Sequence, residues 1–239
     1  MKSILIILLF YNLGIGQGFY TTFSGTENPL SESGIWKQQA TSWTKLQKID
    51  GVCYGTQSDD TFDDSYGYLE GYGNDYTIWG VIEKKDVEEL CAPEVELHVR
   101  VTDSADSCQL YEILLTHYGT IQVFRWNGDF ADFSTQLADA NVGGTATGDT
   151  FKVSISNDTL KVYYKGALEI THTGVTYATG NPGIGMFKRP CANNDDFGFS
   201  AFGIEWSSES PEEEEEESVS TGTIGPGSGK ITTGTGVMK

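Results

Sequence analysis

The stretch from Asn194 to Trp206 constrains the fold more than any other part of the chain. It opens with the turn-forming cluster Asn194-Asp195-Asp196 and continues as Phe197-Gly198-Phe199-Ser200-Ala201-Phe202-Gly203-Ile204-Glu205-Trp206. With a two-residue period, Phe197 and Phe199 share one face while Phe202, Ile204 and Trp206 share the other. The change of parity between Ser200 and Ala201 predicts a β-bulge, with Gly203 helping the bend. Beyond Trp206 the composition turns acidic and then rich in Gly, Ser and Thr. The stretch therefore reads as the closing strand of a β-sandwich, paired with the first strand of the domain.

Upstream, short β-branched and aromatic segments alternate with turn residues. Phe19–Phe23 reads as the first strand, followed by segments at Trp43–Ile49, Gly51–Gln57, Tyr66–Leu69 and Tyr76–Lys84. Glu94–Thr102, Cys108–His117 and Thr120–Trp126 form a meander, and Phe151–Ser156, Thr159–Lys165, Leu168–Thr173 and Gly183–Phe187 complete the set. Asn127-Gly128 and Asn157-Asp158 carry residues that tolerate the positive φ of tight turns. Only Glu83 to Leu90 has helical potential, a turn or two at most. This density of strands predicts an all-β fold, a two-sheet antiparallel jelly-roll sandwich.

Both ends stand outside that domain. Ile4 to Tyr11 is an apolar run after a weakly basic start, and small residues at Gly14, Gly16 and Gly18 suit a cleavage site, so residues 1–18 read as a signal peptide. The run is too short to span a bilayer, which takes about 20 apolar residues. The domain is expected over 19–206, and 207–239 is expected to be a disordered tail containing the run Glu212 to Glu217. Of the formal charge of −19, the tail accounts for seven acids and two lysines, so the domain is itself strongly acidic. That argues against nucleic acid or anionic lipid as a partner, since both are held by basic patches. A secreted, extracellular protein follows. Its four cysteines, Cys53, Cys91, Cys108 and Cys191, read as disulfides. Three pairings are open, with Cys91–Cys108 as a local staple and Cys53–Cys191 as a long-range one preferred.

Three spaced segments carry a resemblance. They are Phe23-Ser24-Gly25-Thr26-Glu27-Asn28-Pro29-Leu30-Ser31 running on to Gly34 and Trp36, Asp63-Asp64-Ser65-Tyr66-Gly67-Tyr68-Leu69, and Gly180-Asn181-Pro182-Gly183-Ile184-Gly185-Met186-Phe187 followed by Asp195-Asp196-Phe197. In this order they resemble secreted concanavalin A-like lectin/glucanase (laminin G-like) jelly rolls, over about Phe23 to Trp206. The resemblance implies the fold. It leaves function open, because this superfamily holds lectins, glycan-cleaving enzymes and adhesion modules.

The enzymes of that superfamily carry recognisable residues, which are missing here. The glucanase branch places carboxylates on one strand as E-x-D-x-x-E or E-x-D-x-E. Glu83-Lys84-Lys85-Asp86-Val87-Glu88-Glu89 and Glu94-Val95-Glu96 fit neither pattern. The lyase branch uses a Gln-x-His, and none exists; His98, His117 and His172 are dispersed, although alternation puts His98 and Arg100 on one strand face. No catalysis is therefore expected.

Glycan binding needs exposed rings beside amide and carboxylate groups. Trp126 and Tyr118, at strand ends next to turns, are the candidates, with Asn127 and Asp129 beside Trp126, while Trp36, Trp79 and Trp206 are assigned to the core. If the closing strand pairs with the first, Asp195 and Asp196 come near Glu27 and Asn28. Their oxygens would suit Ca2+, a structural ion that the resemblance also implies. Asn157-Asp158-Thr159 fits an N-glycosylation sequon on an exposed turn. The reading is a secreted, non-catalytic carbohydrate-binding or adhesion module whose partner is an extracellular glycan or matrix component. An acidic matrix protein binding calcium or mineral is the first alternative, and a divergent glycan-cleaving enzyme the second. Nothing in the sequence calls for a homo-oligomer.

Overall fold

The computed structural model describes residues 18–39, 43–58, 64–85, 91–105, 107–129 and 134–206. The expected leader, apart from Gly18, and the expected tail lie outside them, as does the second half of the Glu83–Leu90 segment. Among the described residues no helix is long and apolar enough to cross a membrane.

Among the described residues sixteen strands form two sheets. The first sheet runs in the order β14 (Ala167–Thr173), β13 (Thr159–Tyr164), β12 (Thr150–Ser156), β7 (Tyr76–Lys84), β16 (Phe197–Trp206), β5 (Val52–Tyr54) and β4 (Gln47–Ile49), with β1 (Gly18–Thr21) also on β16. The second runs β11 (Thr135–Asn141), β10 (Thr120–Asp129), β9 (Ser107–Thr116), β8 (Glu94–Asp103), β15 (Asn181–Phe187), β6 (Ser65–Leu69) and β2 (Trp36–Lys37). Here β3 (Thr44–Lys45) adds a short parallel pairing to β6; all other pairs are antiparallel. The two sheets stack as a sandwich.

The closing strand is as its sequence predicts. β1 pairs antiparallel with it, Thr21 opposite Phe202, and its register against β7 shifts between Phe199 and Ala201. The bulge reconciles the two parities: Phe197, Phe199, Phe202 and Ile204 are all buried in the core. Across from them β7 alternates cleanly, with Tyr76, Ile78 and Ile82 inward and Thr77, Trp79 and Val81 towards solvent. Val95, Leu97, Val99, Tyr111, Ile113, Leu115, Ile121 and Val123 close the core from the second sheet.

That second sheet departs from simple alternation. β8 and β9 are buried on both faces over most of their length. A separate cluster of Trp43, Tyr66, Tyr68, Val101, Cys108, Leu110 and Trp126 covers the face turned away from the core.

The disulfide differs from expectation. Cys91 pairs with Cys191, and Cys53 and Cys108 are buried thiols. The Cys91–Cys108 staple fails because the ten-residue β8 lies between them, a run of roughly 33 Å, and a disulfide needs Cα atoms within about 7 Å. Cys53 is engaged elsewhere, opposite Phe199 inside the sandwich.

Candidate functional site

The outward face of the first sheet carries a row of side chains across six strands. Tyr20 lies opposite Gly203, Gly203 opposite Trp79, Trp79 opposite Lys152, Lys152 opposite Tyr163 and Tyr163 opposite Leu168. At about 4.8 Å per strand the row is roughly 24 Å long. It is open to solvent: Tyr20 is 61% exposed and Leu168 53%, with Trp79, Lys152 and Tyr163 half-buried.

Gly203 makes the row continuous. A Cβ there would fall within the Trp79 indole, so the ring lies over bare backbone. It reaches Tyr20 beyond, at 5.7 Å between centroids and 32° between planes. On the other side the Lys152 ammonium sits 4.6 Å from the centre of the Tyr163 ring, a cation–π contact. Beside the row lies a shallow depression of about 350 Å³ lined by Asp75, Thr77, Ser154, Ser156, Glu205 and Trp206. Flat apolar rings thus border a groove of hydroxyls and carboxylates. That pairing of chemistries suits sugars, whose C–H faces stack on rings while their hydroxyls seek polar partners.

A second constellation sits on the outward face of the other sheet, beneath the aromatic cluster. Glu96 and His98 alternate along β8, and Glu112 on β9 lies directly opposite His98. Each offers a ligand atom within 4.8 Å of the other two, and all three residues are at most 5% exposed. His98 Nε2 is 2.8 Å from Glu96 Oε2, and Trp126 Nε1–H donates to Glu112 Oε2 at 2.6 Å. Trp43 packs edge-on against Trp126 and Tyr66, at 4.8 and 5.2 Å. Burial pushes both carboxyls up, and the negative field of Glu112, Asp64 and Glu94 raises Glu96 further. The same burial pushes the His98 imidazole down to about 3.

No protein-family model and no curated protein matches the chain. Solved structures do match it. The potassium-bound carbohydrate recognition domain of Emp46p superposes with a TM-score of 0.55 at 12% identity, over 79% of this chain and 99% of that one. The exoplasmic/lumenal domain of VIP36, bound to Ca2+ and Man, gives 0.54 at 15%, over 78% and 91%. A β-glucanase of Bacillus licheniformis gives 0.50 at 11%, over 80% and 99%. The fold is a concanavalin A-like jelly roll.

Within this jelly roll the residues singled out from sequence are placed as follows. Trp126 is buried against Glu112 and Trp43 and offers no platform to solvent. The turn expected at Asn127-Gly128 does not form, because β10 runs through it to Asp129 and buries the indole inside a strand. Tyr118 belongs to the β9–β10 turn, its ring against His117, and the six-residue step of β10 from Thr120 to Trp126, roughly 20 Å, separates it from Trp126. The two rings cannot share a sugar. Asn127 is exposed and its side-chain oxygen accepts from Arg125 Nε.

The four expected calcium ligands do not converge. Beyond Thr21 the first strand leaves β16, and β5 takes its place beside Phe199. Glu27 bridges to Lys48 on β4, so two strands separate it from Asp196. Each group is also engaged locally. Glu27 accepts from the Ser31 and Glu32 amides and Asn28 donates to Gln47. Asp195 pairs with Lys85, and Asp196 accepts from the Asn193 amide three residues before it.

Arg100 parts from His98 as well. At a positive φ of 57°, in a register shift of β8 against β9, it turns its guanidinium to the carbonyls of Tyr177 and Asn157. Asn157 sits, exposed, at the β12–β13 turn with φ 52°. Trp79, assigned to the core from sequence, is the centre of the exposed row. Its signal was in the alternation of β7, whose odd members Thr77, Trp79 and Val81 all face out.

Proposed function

We propose that the chain is a secreted, non-catalytic carbohydrate-binding module that holds an extracellular glycan on the outward face of its first sheet. The observation that carries this is the Trp79 ring, laid over Gly203 and extended by Tyr20, along a groove of polar side chains. The fold agrees with it: the Emp46p neighbour is a carbohydrate recognition domain and the VIP36 neighbour was solved with Man bound. A non-catalytic role is supported by the sequence, in which neither Glu83-Lys84-Lys85-Asp86-Val87-Glu88-Glu89 nor Glu94-Val95-Glu96 fits the glucanase patterns. The apolar run from Ile4 to Tyr11 and the Cys91–Cys191 bond support secretion.

The test is a glycan array on the full chain, followed by titration of whatever glycan is retained. Trp79→Ala and Tyr20→Ala are each expected to weaken binding about tenfold, the worth of one stacking contact. Retention unchanged in Trp79→Ala would sink the platform, and shortening of the retained glycan would make the protein an enzyme.

A further inference from the structure

We propose that Glu96, His98 and Glu112 bind one divalent transition-metal ion, of the zinc type, beneath the aromatic cover of the second sheet. Two strands supply the three ligands: two from alternate positions of β8 and one from the facing position of β9. His98 Nε2 and Glu96 Oε2 stand 2.8 Å apart, a hydrogen-bond distance, and would open to roughly 3.4 Å around a tetrahedral ion about 2.1 Å from each. The third ligand atom lies within 4.8 Å of both. One imidazole and two carboxylates make a donor set suited to zinc or manganese, whereas calcium takes oxygen alone.

The surroundings point the same way. Glu96 and Glu112 are buried side by side, and two carboxylates taken out of water together call for a compensating positive charge. A dication would neutralise the pair. His98 is wholly buried, and the ring nitrogen it turns towards the carboxylates is Nε2. Gly185 on β15 admits the arrangement: a Cβ there would lie 2.7 Å from His98 Nε2 and on top of Glu96 Oε2. On the other side Trp126 Nε1 holds Glu112 in place, the outer hydrogen bond that metal ligands commonly carry. This site is separate from the glycan platform, which occupies the other sheet.

The experiment uses the full chain, stripped with chelator and then titrated with Zn2+ and, separately, with Co2+. One zinc per chain is expected, with a thermal midpoint raised by roughly 5–10 °C at a hundredfold excess over Kd. Cobalt should bring visible d–d absorption from a nitrogen–oxygen site. His98→Gln and Glu112→Gln should each abolish the cobalt spectrum, and circular dichroism would establish that they fold. Ions held loosely by the acidic run Glu212 to Glu217 would survive both substitutions and would leave the midpoint unmoved. A stripped protein whose midpoint ignores zinc, or a cobalt spectrum unchanged in folded His98→Gln, would overturn the proposal.

Discussion

At position 203 a missing side chain decides what the first sheet can present. The Trp79 indole lies where a Cβ of residue 203 would stand. Gly203→Ala is therefore expected to push the ring off the sheet and away from Tyr20. Glycan binding should fall about tenfold while stability changes by no more than about 1–3 kcal/mol, the usual cost of overpacking. Titration of this variant beside Trp79→Ala, with a denaturant curve for each, separates loss of the platform from loss of the fold. From sequence Gly203 was expected only to ease a bend. Its service to the residue across the ladder is invisible without the register that pairs 203 with 79.

Among elements, the link between the start of β8 and the loop after β15 is the covalent one. The Cys91–Cys191 bond closes a loop of 100 residues, and chain-entropy reasoning assigns such a loop a few kcal/mol. Cys191→Ser should lower unfolding stability by about 2–5 kcal/mol, measured by urea titration under oxidising conditions. Cys53 and Cys108 behave differently, because burial pushes both thiols up and keeps them protonated. Native protein should leave both unlabelled by a thiol reagent, and denaturation should expose both. The elements themselves were largely readable. Tyr76–Lys84 and Phe197–Trp206 have the bounds that alternation predicts, and the bulge at Ser200 follows from parity alone. β11 was missed, since Thr135–Asn141 is polar, exposed along an edge and without a hydrophobic period. The extension of β10 through Asn127-Gly128 was missed because a good turn sequence yielded to pairing with Gln109 and Cys108.

For the molecule as a whole, the buried titratable groups set a pH dependence that chelator-treated protein should display. Glu112, with an ordinary value of 4.5, is pushed up to about 7 by burial, and Glu96 is raised with it. A group that holds its proton more tightly when folded contributes fully below its unfolded pKa, and the contribution is lost as pH rises through the folded one. His98 has the opposite sign: with its folded value near 3 against an ordinary 6.5, it costs stability as pH falls from 6.5. Above pH 4.5 the two acids outweigh the one histidine. Stability should thus decline from about pH 5 to about pH 8, by on the order of 3 kcal/mol for Glu112 alone. Glu112→Gln should flatten the decline in denaturant midpoints across that range, and an unchanged slope would remove the cluster as its source. By itself the sequence determined the fold class, the closing strand, its bulge and its partner, because period, parity and turn chemistry act between neighbours along the chain. Only the tertiary structure decided which cysteines join, that Trp126 is covered while Trp79 is open, and that Glu96, His98 and Glu112 meet. Those outcomes depend on which strands lie side by side and what covers each face, and strand order arises from packing between segments far apart in sequence.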